Sequence, residues 1–511
     1  MTSGPLKISN FQTLIPGLEQ LTVVIRWVAD DYTVFEDLVG MHQADKCNAN
    51  SIVQIIKNVL ISLGLDLMHI RGQTYDGASV LQGHHNGVAK QILVLNPKAL
   101  STHCLNHNLN LILQEAASVN TLISGTFSVV QSLCNVIRAS PKRLSVFKNF
   151  QLQCSYSKEV PGNISSIKPL CPTRWTCRTE SLASVLHNYN VILETLEEIR
   201  NNGGNSEGAK TAPGLIVLME KFSTVFGLKM CFILFSVTEE MASKLQSKQI
   251  HAGTVRTIRD GLLRYLNDLR TDEHFNKLFN DAKLMCETLD IEMPTLPRRR
   301  KTAKKINDYL RTTADTDHVW DSPEQYYKQQ FYQVIDIMIV QIKERFNQET
   351  LNYLISIEDL VISAAMGEEI DISDDLTKKL DGDLNVSKLE SELKLLPSFV
   401  KEVDPLLKKE TSINTIMDIM KKGKLTNVFS ELHTLFKLYL TVPLSNATAE
   451  RSFSALHRIK SYLRSRLTQE HLNHFVVLHA HKYLTDVIDL TYIAKCFVGT
   501  NERRQAFFGK M

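Results

Sequence analysis

The chain is short of the features that mark several large protein classes. It has 511 residues and a net charge of only +3, so no global field points to nucleic acid, and any such attraction must come from local patches. The first residues, Met1-Thr2-Ser3-Gly4-Pro5-Leu6-Lys7, lack the apolar core of a signal peptide. The longest strongly apolar run, Met230 to Val237, falls well short of the ~20 residues that span a bilayer, so no membrane partner is expected. The nine cysteines are odd in number and scattered, which excludes a secreted disulfide framework and favours a reducing compartment. No Cys/His spacing of a zinc finger precedes residue 20, and no internal repeat is present. What remains is an ordinary globular composition, 43% apolar and 22% charged, long enough for several domains.

Two strands open the readable pattern. Leu21-Thr22-Val23-Val24-Ile25-Arg26-Trp27-Val28 is β-branched and aromatic, Asp30-Asp31 supplies a turn, and Tyr32 to Val39 alternates. A helix is predicted from Ser51 to Leu63, stopped by Gly64. A short strand then runs into Tyr75-Asp76-Gly77. A helix through Val88, Ile92 and Leu95 follows, then a strand from Ala99 to His103 and a helix from Asn106 to Ala117. From about 118 to 440 the pattern is helical, broken by Asn201 to Ser206, by a basic stretch and by an acidic segment from Gly367 to Asn385, read as solvated.

Several residues could carry chemistry. Asp76 ends a strand among small residues, where a carboxylate can project into a metal site; it could equally cap the next helix. Cys104-Leu105-Asn106-His107 has half the spacing of a zinc site, with packing as the alternative. Arg174 can clamp a phosphate and Trp175 can stack on a base, or Thr173 caps a helix that Trp175 anchors. Arg298, Arg299, Arg300 and Lys301 lead a run of six basic residues between Pro297 and Lys305. It suits phosphate neutralisation, nuclear import or a solvated linker. Glu450 stands at the start of a predicted helix in Pro443-Leu444-Ser445-Asn446-Ala447-Thr448-Ala449-Glu450-Arg451-Ser452-Phe453-Ser454. An acid there also suits the helix dipole.

Taken in order, Asp76, Cys104/His107, Arg174-Trp175 and Ala449 to Ser454 resemble the markers of hAT-superfamily DNA transposases. The chain resembles in particular the transposase-like C-terminal half of zinc-finger MYM-type proteins. The resemblance implies an α/β fold with an RNase H-like core, interrupted by a large all-α insertion and closed by a helical dimerisation region. The implied boundaries are an atypical leader over 1–18, the first part of the core over 19–117 and the insertion over 118–440. The dimerisation region that completes the core follows over 441–490, then a tail over 491–511. It implies that Asp76 and Glu450 are two of three catalytic acids and that Arg174 and Trp175 lie near the DNA end. Phe453, Leu456, Leu472 and Phe475 would then serve dimerisation, although Leu472 to Leu478 also reads as ordinary core.

The sequence departs from that pattern at its start. No Asp occurs before Asp30, and the place of the first catalytic acid falls near Asn10. The first core strand is therefore expected to be missing or replaced. A neutral Asn weakens a Mg²⁺ or Mn²⁺ site that needs charge, and Asp30 and Asp31 sit at the wrong end of a hairpin. These features predict a transposase-derived, self-associating protein of the nucleus or cytoplasm, the nucleus favoured, catalytically silent, with no cofactor and with DNA as a second, weak partner. The alternative is an active metal-dependent transposase.

Overall fold

The computed structural model describes residues 11–15, 18–44, 46–83, 85–156, 166–170, 178–247, 250–296, 320–405, 411–459 and 467–509. They form two compact units. One holds the chain up to Leu105, then Gln246–Gly253, then Gln348 onward; the other holds Asn106–Leu245 and Thr254–Asn347.

The first unit is α/β. Strands β1 (Phe11–Ile15), β2 (Leu18–Val28) and β3 (Val34–Ala44) form an antiparallel sheet in that order. β4 (Gly72–Tyr75) and β5 (Leu100–His103) form a separate parallel pair. The expectation of a missing first strand is corrected here: β1 pairs with β2 from Phe11↔Leu21 to Ile15↔Leu18. The single sheet that a complete RNase H-like core would require is not formed among the described residues, because β4 and β5 pair only with each other. Asn10 lies outside the described residues.

Both faces of β2 are covered, which explains its long β-branched run. Period-two alternation sends Leu21, Val23 and Ile25 to one face, where they pack with Ile52, Ile56 and Leu60 of the helix Ala49–Ser62. Val24, with Leu38 and Met41 of β3, faces the other side and packs against Ala449, Phe453, Leu456, Leu472 and Val476. Arg26, also on β2, is buried; its guanidinium bonds the cross-strand Glu36 at 2.9 Å and the Leu440 carbonyl at 2.8 Å. A charge on an inner strand is tolerable only with such partners.

The outer edge of β3 is closed by side chains from the far end of the chain. Asn473 accepts from the Met41 amide at 2.8 Å, Gln469 donates to the Met41 carbonyl at 3.0 Å, and the His481 ring meets the Leu38 carbonyl at 3.0 Å. Unpaired strand edges otherwise recruit other chains.

The acidic segment after Gly367 is not wholly solvated, contrary to expectation. Asp383 binds the Arg71 guanidinium with both oxygens, at 2.6 and 2.8 Å, and Lys98 at 3.1 Å. The unit boundaries also differ from those read in the sequence. The helices Glu349–Met366, Val386–Val403 and Ser430–Thr441 fall in the α/β unit, and the helical unit starts at Asn106.

The second unit is all helical. Its centre is an aromatic cluster in which Phe222 and Phe226 of the helix Phe222–Leu245 meet Phe275, Phe279 and Tyr327. That helix is longer than the run Met230 to Val237 that flags it in the sequence. By length and apolarity it could cross a membrane, yet Met230, Leu234 and Phe235 are buried within the unit.

Gly72 has a specific packing reason. A Cβ there would stand 2.6 Å from Pro443 Cδ and 2.9 Å from Val442 Cα. Gly72→Ala is expected to cost about 1–3 kcal/mol through forced separation of β4 from residues 441–443. Urea denaturation checks this; an unchanged midpoint would mean that the two segments move apart freely.

Candidate functional site

The C-terminal end of β4 is the centre of the site. Tyr75 is fully buried and its carbonyl accepts the Cys104 amide at 3.1 Å, so the ends of β4 and β5 are held side by side. The Cys104 thiol, also buried, donates to the Asn446 side-chain oxygen at 2.9 Å. The Leu105 amide donates to the Leu444 carbonyl at 3.2 Å. Residues 104–105 are thereby tied to the stretch that enters the helix Ala447–Ile459. The Asn446 carbonyl in turn accepts the Glu450 amide at 3.1 Å, opening the helix that carries Glu450 in its first turn.

Asp76 and Glu450 are consequently brought within electrostatic range, although 374 positions separate them in sequence, from 76 to 450. Both are half-buried. Burial pushes the Asp76 carboxyl up to about 6, and the Glu450 charge adds to the rise. The Ala78 amide, donating to Asp76 at 3.3 Å, opposes it. Asp76 thus forms a local turn with Ala78 but does not cap the helix Ser79–Gln82, whose N-cap position is Ala78.

Paired carboxylate oxygens suit a hard cation such as Mg²⁺ or Mn²⁺. They do not match the fuller carboxylate set of a two-ion phosphoryl-transfer centre. Among the described residues no group of three or more His, Cys, Asp or Glu could hold a metal. Asp30 and Asp31 are occupied elsewhere: Asp30 bonds Lys437 at 2.7 Å, and Asp31 accepts the Thr33 amide at 2.9 Å. Lys437 holds the Asp30 carboxyl below its ordinary range.

The other residues singled out in the sequence fare differently. Cys104 is a structural thiol bonded to Asn446, and burial together with Arg345 lowers the pKa of His107. Arg174, Trp175, Arg298, Arg299, Arg300 and Lys301 lie outside the described residues. Phe453, Leu456 and Leu472 are buried against the chain's own sheet. Phe475 is 45% exposed.

Two features escape sequence reading. Asn446 is the polar link between the two halves of the site, yet its only sequence signal is its place in the motif. Thr448 hydrogen-bonds Glu36, the partner of Arg26, which fixes the start of the Glu450 helix to the sheet. An Arg inside a β-branched run is the signal that such a network exists.

Comparison with known proteins agrees with this layout. A family profile described as the ZMYM1/FAM200 RNase-like domain matches residues 14–87. A second, described as the hAT family C-terminal dimerisation region, matches residues 398–482. Among curated proteins, the "52 kDa repressor of the inhibitor of the protein kinase" of Homo sapiens is 22% identical over 497 residues, 94% of this chain. The Mus musculus protein of the same name aligns with the same identity and coverage. The chain spans 62% of the length of these relatives. The two profiles bear out the resemblance drawn from the motifs.

The raised Asp76 carboxyl has a signed consequence for stability. It holds its proton to about pH 6 when folded but only to about 3.9 when unfolded. Its contribution to stability is therefore complete below about pH 4 and is lost as pH rises toward 6. Asp76→Asn should be more stable than the parent at pH 7.5, by about 1–3 kcal/mol, and nearly equal to it at pH 4. Urea midpoints at the two pH values decide this, and a pH-independent difference would contradict it.

Proposed function

Taking the chain as a hAT transposase-derived protein, we propose that it acts by self-association and nucleic-acid contact, without strand cleavage. The observation that carries the reading is the incomplete acidic set. Asp76 and Glu450 come together, but among the described residues no group of three or more His, Cys, Asp or Glu could hold a metal, and Asp30 and Asp31 are engaged by Lys437 and Thr33. The match to a hAT dimerisation region supports the association. The relatives are named as repressors, which suits a binding role for this chain. The basic segment around Arg298 to Lys301 suits both phosphate attraction and import into the nucleus. Arg174 and Trp175 are assigned to an unpaired or hairpin DNA end.

The second reading, an active transposase, rests on the closeness of Asp76 and Glu450. Incubation of the full chain and of Asn10→Asp with hairpin-forming DNA and Mn²⁺ separates the two. The silent reading expects no cleavage by the full chain as it stands and a dimer or larger species by light scattering. Cleavage that is metal-dependent and abolished in Asp76→Ala would overturn it.

DNA binding has its own test. Replacing Arg298, Arg299, Arg300 and Lys301 by Ser should flatten the dependence of log K on log salt, by about 0.9 for each duplex phosphate left without its cation. An unchanged slope by fluorescence anisotropy would leave this segment to import or to linker duty.

A further inference from the structure

The end of the chain carries an apolar surface that its own fold leaves uncovered. Helices Leu490–Gly499 and Glu502–Phe508 pack on each other, with Phe497 and Phe508 edge to face at 6.2 Å and Arg504 over the Phe497 ring at 4.0 Å. Val498 is buried, but Leu490 is 77% exposed and Phe507 81%. Tyr483, Tyr492, Phe497 and Phe508 are exposed as well. Scattered apolar residues on a surface are ordinary, but a dense group of this size marks an interface.

We propose that residues 483–508 form an arm whose apolar face is covered by the same arm of a second copy of this chain. The inference rests on the self-association proposed above and names the surface responsible. Three observations favour a second copy. The first is continuity: the matched dimerisation region ends at residue 482, and Phe475 and Leu478, exposed near the end of the helix Gln469–Ala480, lead directly into the arm.

The second is area. A stable interface takes about 800 Å² from each partner. At about 200 Å² per aromatic side chain, the five exposed aromatics of the arm present roughly 600 Å², and Val487, Ile488, Leu490 and Ile493 extend it. The third is charge. Lys495, Arg503 and Arg504 are interspersed with Asp486, Asp489 and Glu502, so two copies meet without a large like-charge penalty. An isologous two-fold contact, with each arm both donor and receiver of the same patch, fits these facts.

The test uses the full chain and the triple variant Leu490→Glu, Ile493→Glu, Phe497→Glu, with Val340→Glu as a control in the helical unit, where that side chain is 50% exposed. These positions are exposed in one copy, so the folded subunit tolerates them. Circular dichroism and the thermal midpoint measured under dissociating dilution verify this. Light scattering should give a dimer or larger for the parent and the control, and a monomer for the triple variant, with its dissociation constant raised at least ~100-fold.

A triple variant that keeps the parental mass overturns the arm as interface while leaving self-association in place. A parent that is itself monomeric across the micromolar range overturns both. Co-sedimentation of a monomeric parent with phosphatidylcholine–phosphatidylserine vesicles would reassign the arm to a lipid surface and reject the proposal.

Discussion

Asn446 is a buried amide with no water to turn to, and its partner is a thiol 342 positions earlier in the chain. A polar group in such a place costs free energy unless it is bonded, so the Cys104–Asn446 hydrogen bond constrains how the last third of the chain returns to the first. Much depends on it. The Tyr75–Cys104 and Leu105–Leu444 backbone bonds flank it, the helix bearing Glu450 starts from the Asn446 carbonyl, and Asp76 follows Tyr75 directly. The nearness of two acids that no local rule would pair is a product of this joint. Cys104 thereby has a role that involves no metal.

The electrostatics of Asp76 and Glu450 then follow from placement. Burial is the main reason that the Asp76 carboxyl rises toward neutrality, and the nearby Glu450 charge adds to it. A catalytic metal site relieves such repulsion by its own charge. In this chain the Ala78 amide, donating to Asp76, opposes the rise.

The strands β2 and β3 are legible because Leu21 to Val28 is β-branched and because Asp30-Asp31 separates it from a second alternating run. The pairing of Asp76 with Glu450 is legible only through the order of the family motifs, since spacing alone says nothing across several hundred residues. β1 has a local signal in Pro16-Gly17, a turn dipeptide between Phe11–Ile15 and Leu18. The absent aspartate argues against a strand there, yet β1 forms and pairs with β2. The burial of Phe453, Leu456 and Leu472 is illegible for a deeper reason. Helical periodicity identifies an apolar face, but it cannot tell whether the chain's own sheet or another copy covers that face. The ion pair of Asp383 with Arg71 is beyond reach for a similar reason, because a run of acids looks solvated until its partner 312 positions away is known.

The closure of the β3 edge carries a consequence for how the chain is made. Met41 waits for Asn473, 432 residues later. At a synthesis rate of about 5–20 residues per second, the strand is exposed for roughly 20–90 seconds after it leaves the ribosome. Throughout that interval the nascent sheet presents an open ladder, available to neighbouring chains on the same message or to a chaperone. Solubility of this protein in a cell is thus set partly by timing: the β3 edge is sealed by a helix translated more than 400 residues after it.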